Sequence, residues 1–287
     1  MKVKLALGTV QFGLSYGITN NEGQVQKDEV DDILKHAFQH NIQILDTASA
    51  YGNSETVLGN ASVQNFKVIS KIPEVLKLQT SIRSCLSDSL SKLKRESIYG
   101  LMFHNEKDLL APENYLKQLK DLKIEGLVDK IGCSFYTVDA LSKAFEMDYE
   151  LDIIQVPGNC LDQRFLKSGL LGEAKHRGIE IHCRSLFLQG LLLDEETELP
   201  DSLRSFKNEL DRFFSFCKLK NISPLMATLK FLQQIDAIDY GVVGCLTKLQ
   251  LAEITSAYAK ASQHKEVIDF RELSSSSDVL INPTLWK

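Results

Sequence analysis

The sequence predicts a single-domain (β/α)8 TIM barrel spanning residues 1–287, and three observations carry that prediction. Eight short apolar runs recur along the chain, helical periodicity fills the segments between them, and no linker or shift in composition marks a second domain boundary. The runs cover residues 5–8, 42–46, 66–71, 99–104, 128–132, 152–156, 179–183 and 240–244. Parallel strands buried on both faces read this way. Between them, Val30, Ile33, Leu34, Ala37 and Phe38 repeat at the spacing of one helix face, as do Ile82, Cys85, Leu86, Ser89, Leu90 and Leu93.

The repeat is regular until the seventh strand, after which the gap to the eighth is about twice as long. That length holds a long loop and two extra helices, expected at 202–217 and 223–234 and placed over the barrel mouth. The chain enters its first strand almost at once, leaving no room for an amino-terminal hairpin, so side chains such as Met1 and Leu5 are expected to close the barrel floor. Residues 274–287, with four consecutive serines and Asn282-Pro283, read as an ordered tail without a helix.

Composition narrows the function classes. With 44% hydrophobic residues, 25% charged residues and a net charge of −5, the chain can bury a large core but has no basic surplus for nucleic acid or anionic lipid. No apolar run approaches the roughly 18 residues of a membrane span, and the amino terminus is too weakly apolar for a secretory signal. The expectation is a cytoplasmic protein, a monomer or weak homo-oligomer, with a small-molecule substrate. The six cysteines form no Cys-x-x-Cys pair and read as small buried hydrophobes in a reducing compartment. His36 and His40, on what reads as the solvent side of the first long helix, have no acid placed to complete a metal site, so no metal is expected.

In a barrel of this kind chemistry gathers at the carboxyl ends of the strands. Strand two ends at Asp46, with Tyr51 in the following loop and Asn53 or Ser54 placed to cap the next helix. Strand three ends at Lys71, strand four at His104, strand five near Ser134 and strand seven at Arg184, while strand six carries Gln155 and Asn159. Taken singly, a lysine or histidine after a strand is ordinarily a surface or structural residue. Four complementary groups at three consecutive strand ends point to proton transfer at a carbonyl oxygen. An ammonium beside a phenol favours phenolate and lowers its pKa, Asp46 would hold Lys71 in place and charged, and a neutral His104 N–H would serve the same oxygen.

The run Asp46-Thr47-Ala48-x-x-Tyr51-Gly52-x-Ser54-Glu55-x-x-Leu58-Gly59 resembles the aldo-keto reductases, as a compact bacterial-type branch lacking the amino-terminal hairpin. Gly8-Thr9, Ser70-Lys71-Ile72, His104, Gly132-Cys133-Ser134, Ile154-Gln155-Val156 with Asn159, and Gly190-Leu191-Leu192 extend the resemblance along nearly the whole chain. It implies an oxidoreductase that reduces an aldehyde or ketone with NADP or NAD, bound without a Gly-x-Gly-x-x-Gly motif. Carried over by position, Asp46, Tyr51, Lys71 and His104 are the catalytic tetrad, and Ser134 and Gln155 hold the nicotinamide carboxamide. Gly8, Thr9, Arg184, Ser185, Leu186, Gln189, Gly190, Gly244, Lys248, Gln250 and Glu253 complete the implied cofactor site.

Two departures from the family pattern stand out. Where members selective for NADP carry a cationic clamp on the 2′-phosphate, this chain has Gly244-Cys245 and Gln250, with only Lys248 as a cation, and Ile254 replaces the usual asparagine. Where an aromatic ring usually stacks on the nicotinamide, it has Arg184, whose planar guanidinium can also stack. The expected substrate wall is Gln11, Phe12, Tyr16, His104, Phe135, Tyr136 and Phe187 with loop 194–201, a mixture of aromatics and amides suited to a polyol or sugar aldehyde. Two other classes share such a scaffold: a cofactor-binding regulatory subunit with poor turnover, and a hidden-redox isomerase or dehydratase.

Overall fold

The computed structural model describes residues 3–61, 63–77, 80–111, 113 and 115–286. Its first half runs β1 (Lys4–Gly8), α1 (Val10–Gly13), α2 (Lys27–Gln39), β2 (Ile44–Asp46), α3 (Ser54–Asn60), β3 (Lys67–Ile72), α4 (Ile82–Leu93), β4 (Ile98–Phe103), α5 (Glu106–Leu109) and α6 (Tyr115–Ile124). The second half runs β5 (Val128–Ser134), α7 (Val138–Glu146), β6 (Ile153–Pro157), α8 (Arg164–Lys167), α9 (Leu170–His176), β7 (Glu180–Arg184), α10 (Lys207–Leu219), α11 (Pro224–Gln233), β8 (Tyr240–Val243), α12 (Lys248–Gln263) and α13 (Asp278–Ile281). The strands close in sequence order into one all-parallel barrel, β1 pairing with both β2 and β8. Each expected strand is present, with ends displaced by two residues or fewer. The two extra helices are α10 and α11, and a 3-10 segment at Asp201–Phe206 occupies the start expected for the first.

Burial follows the register. Outward-facing strand residues such as Leu7, Leu45, Val68 and Leu101 join the helices in the main core. Ala6, Ile44, Ile69, Met102 and Ile153 form a separate cluster inside the barrel, capped by Tyr99, Tyr240 and Val242. Leu5 belongs to the outer core and so does not close the floor, and Met1 lies outside the described residues. The floor is instead polar and aromatic. Glu180 accepts from Tyr99 Oη and Lys130 Nζ, each at 2.8 Å, and hydrogen-bonds His182 Nε2 at 2.8 Å, while the His182 ring stacks on Tyr240 with centroids 4.9 Å apart.

Three further expectations are corrected. The tail contains α13, because the Ser277 side chain caps Leu280 N and Leu280 and Ile281 bury against the core. His36 is buried, stacked on His40 and hydrogen-bonded to Thr255 Oγ1 at 3.1 Å, since α2 packs against α12 on that side. Neither Asn53 nor Ser54 caps α3 with its side chain: Asn53 accepts from Gln24, and the Ser54 hydroxyl donates to Thr9 O at 2.8 Å. The cysteines are all free and buried, and among the described residues no helix is long and apolar enough to cross a membrane.

Candidate active site

Strand ends at the carboxyl face bring the expected groups together. Asp46 and Lys71, 3% and 1% exposed, meet with Lys71 Nζ 2.6 Å from Asp46 Oδ1. Lys71 Nζ also donates to Thr47 O at 3.0 Å, and Gln155 Nε2 donates to Asp46 Oδ2 at 2.7 Å, so both carboxylate oxygens are satisfied. The Tyr51 ring lies above, its centroid 5.3 Å from Lys71 Nζ and 5.6 Å from the His104 ring in an edge-to-face arrangement. Both Ser49 N and its hydroxyl donate to Lys71 O, which ties the loop carrying Tyr51 to β3. A close approach of two loops fixes it from the other side. A Cβ at Gly13 would fall 1.8 Å from Tyr51 O, and Gly52, at a φ of +56°, would place one 2.3 Å from Gly13 O.

The electrostatics differ in one respect from the sequence expectation. Burial, reinforced by the Asp46 carboxylate, pushes the Tyr51 phenol well above its usual pKa instead of below it. Burial is the larger cause, and the charge of Lys71 is already met by Asp46. Burial also lowers Lys71 itself, against the raising effect of Asp46. His104 is lowered to about 4, first by burial and then by Lys71, and is neutral at pH 7.

These groups stand at the bottom of a cavity of about 620 Å³. Asp46, Tyr51, His104, Gln11 and Tyr16 line it together with Gly8, Thr9, Ser134, Gln155, Arg184, Ser185, Leu186, Gln189, Gly190, Gly244, Gln250 and Glu253. Lys71 sits behind Asp46, and Lys248 is exposed outside the lining. Phe12 and Phe135, expected on the substrate wall, are instead wholly buried in the core, and loop 194–201 contributes nothing to the lining. The wall gains Leu193, Leu225 and the tail residues Asn282, Pro283 and Thr284, which no local pattern singled out. Asn159 braces the site from below, donating to Ser185 O at 3.0 Å.

Arg184 is held by neutral acceptors only, among the described residues: Ser134 Oγ at 3.3 Å, Ser185 Oγ at 3.3 Å and Phe135 O at 3.1 Å. Its guanidinium lies 4.2 Å from the centroid of Tyr136. The loop after it is strained, with Ser185, Leu188 and Gln189 at φ of +61°, +48° and +55°. Gln189 secures that loop to the first one, accepting from Ile18 N at 3.2 Å and from the Thr19 hydroxyl at 3.1 Å.

A sequence profile of the Aldo/keto reductase family matches residues 4–274. The chain belongs to the aldo/keto reductase family. This aldo/keto reductase is 25% identical over 128 residues to D-arabinose 1-dehydrogenase of Saccharomyces cerevisiae, a match spanning 39% of this chain and 38% of that one. Aldo-keto reductase AKR11C1 of Bacillus halodurans, in its holo form, superposes with a TM-score of 0.74 at 17% identity, covering 96% of this chain and 93% of that one. Glycerol dehydrogenase AKR11B4 of Gluconobacter oxydans gives 0.67 at 20% identity, covering 92% and 93%. Family membership makes the aldo/keto reductase an oxidoreductase acting on carbonyl compounds.

Proposed function

We propose that the protein reduces an aldehyde or ketone to the alcohol with a nicotinamide dinucleotide, and that Tyr51 is the proton donor. The carrying observation is the convergence of the Tyr51 phenol and the neutral His104 ring at the base of the cavity, over the buried Lys71–Asp46 pair. The lining fits the cofactor. Gln11 Oε1 is buried without a partner among the described residues, and Gly8 and Thr9 line the cavity at the end of β1. Gln155 and Ser134 line the same cavity, and in this reading they hold the carboxamide.

When bound, the reduced nicotinamide supplies the hydride. Tyr51 gives its proton to the carbonyl oxygen as that charge develops, so the substrate leaves as an alcohol and the phenolate is left behind. An N–H of neutral His104 stabilises the same oxygen, and Lys71 stabilises the phenolate from below. Asp46 fixes Lys71, and Gln155 fixes Asp46. Gln11, Tyr16, Tyr136 and Phe187 line the opening and offer amides and hydroxyls beside aromatic faces, which suits a polyhydroxylated aldehyde. The matched yeast relative carries a sugar in its name, which supports the same substrate class.

The test is a screen of sugar aldehydes and simple aldehydes against both reduced cofactors, following absorbance of the reduced nicotinamide, with Tyr51→Phe in parallel. Turnover that disappears in the variant supports the reading. Turnover retained by the variant ends the assignment of Tyr51.

A further inference from the structure

Arg184 ends β7 at the carboxyl face of the barrel and, among the described residues, is the one permanent cation lining the cavity. Two acids share that lining. Asp46 is already met by Lys71 at 2.6 Å, and Glu253 enters from α12; neither pairs with Arg184 among the described residues. The cavity that holds Tyr51 therefore contains a guanidinium without a counter-charge.

A guanidinium carries five N–H groups in one plane. In Arg184, Nε donates to Ser134 Oγ, Nη1 to Ser185 Oγ and Nη2 to Phe135 O, which leaves one N–H on Nη1 and one on Nη2 without an acceptor among the described residues. One face of the plane lies on Tyr136, 4.2 Å from the ring centroid. These contacts hold the fork in place before anything binds. The backbone is held as well: Gly158 N donates to Arg184 O at 3.0 Å, and Ser185, left-handed at a φ of +61°, is fixed by Asn159 Nδ2 donating to its carbonyl at 3.0 Å. A non-glycine residue in that conformation costs energy, and the cost falls directly after the unmet cation. Burial raises the Tyr16 and Tyr51 phenols and the Arg184 charge opposes it at both, so the cation is within electrostatic reach of the proposed proton donor.

We propose that Arg184 binds a carboxylate on the substrate, so that the favoured substrate is the aldehyde or ketone of a hydroxy acid in preference to a neutral sugar. The proposal deepens the carbonyl reduction proposed above and rests on it. A carboxylate can take one N–H from Nη1 and one from Nη2 and supplies the missing charge, whereas a hydroxymethyl group in its place leaves the cation unmet. The Tyr16 and Tyr136 hydroxyls and the Gln11 amide line the same cavity and suit the hydroxyl-bearing carbons between acid and carbonyl. The acid takes no part in the transfers of hydride and proton, and it leaves unchanged on the alcohol.

The experiment compares substrates that differ only in carboxylate against hydroxymethyl, tartronate semialdehyde with glyceraldehyde and glucuronate with glucose, in wild type, Arg184→Gln and Arg184→Lys. Thermal unfolding shows that each variant is folded, and effects on cofactor binding act on both members of a pair and cancel in their ratio. Wild type should have a kcat/KM at least about tenfold higher for the acid in one pair or both. Arg184→Gln should bring that ratio below about threefold, and Arg184→Lys, which keeps the charge and loses the fork, should fall between. The unreactive acid glycerate should compete with glyceraldehyde in wild type where glycerol does not, a readout that needs no variant. A wild-type ratio of one or below in both pairs, an unchanged ratio in Arg184→Gln, or no competition by glycerate overturns the proposal and leaves the reductase reading intact. Absence of turnover with every aldehyde and both reduced cofactors overturns both.

Discussion

Lys71 Nζ and Asp46 Oδ1 are 2.6 Å apart in a nearly solvent-free pocket, and the Tyr51 ring lies over the ammonium at 5.3 Å. Removing the ammonium strands a buried carboxylate beneath the phenol. Lys71→Met should therefore move the basic limb of the pH–rate profile upward, cut turnover strongly and cost about 3–5 kcal/mol of stability. A variant with an unshifted profile and a normal melting temperature would make Lys71 dispensable to both.

Tyr51→Phe removes the only proposed proton donor while keeping the ring that packs edge-on against His104. Turnover should fall by at least about a hundredfold, with cofactor affinity changed little. Separate binding and steady-state measurements distinguish the two quantities, and a tenfold loss of cofactor affinity would recast Tyr51 as a binding residue.

Arg184 lines the cavity with no carboxylate to neutralise it among the described residues. The oxidised nicotinamide ring is cationic and the reduced ring is neutral. Two unit charges about 4 Å apart repel by roughly 4 kcal/mol at an effective dielectric of 20, of which solvent leaves a fraction. Reduced cofactor should accordingly bind more tightly than oxidised, and in Arg184→Tyr that ratio should fall toward one. Equal weakening of both forms would show that Arg184 grips a part they share.

Acid stability should depend on the barrel floor. Burial alone would raise the Glu180 carboxyl, but hydrogen bonds from His182, Lys130 and Tyr99 hold it at about 2. A folded-state value below the ordinary 4.5 adds stability that is complete above pH 4.5 and is lost as pH falls through about 2. The contribution is on the order of 3 kcal/mol at neutral pH. Glu180→Gln should melt lower at pH 7 and lose less stability than wild type between pH 4.5 and 2. Parallel melting curves for the two proteins across that interval would contradict it.

The sequence disclosed the barrel because each strand is a short apolar run, and Asp46, Lys71, His104 and Arg184 lie at or within one residue of the ends of four of them. It disclosed the cluster because strand order is spatial order in such a barrel. What it hid depends on loops and on distant partners. Phe12 and Phe135 looked like wall residues because they follow strands, yet α1 and the start of the β5 loop turn them into the core. Ser54 has the chemistry of a cap, but its hydroxyl is drawn to Thr9 by the contact between the first two loops. Glu29 reads as an ordinary first-turn acid, and only the packing of α2 on α12 brings it to Lys248.

The contact between Gly13 and Tyr51 has a genetic consequence. The acid's position depends on a residue that has no side-chain heavy atom and takes no part in proton transfer, since any Cβ at Gly13 would collide with the Tyr51 carbonyl. A saturation screen for lost activity should therefore mark Gly13 as sharply as Tyr51 itself, and alleles such as Gly13→Ala should lose activity with every reacting group still encoded.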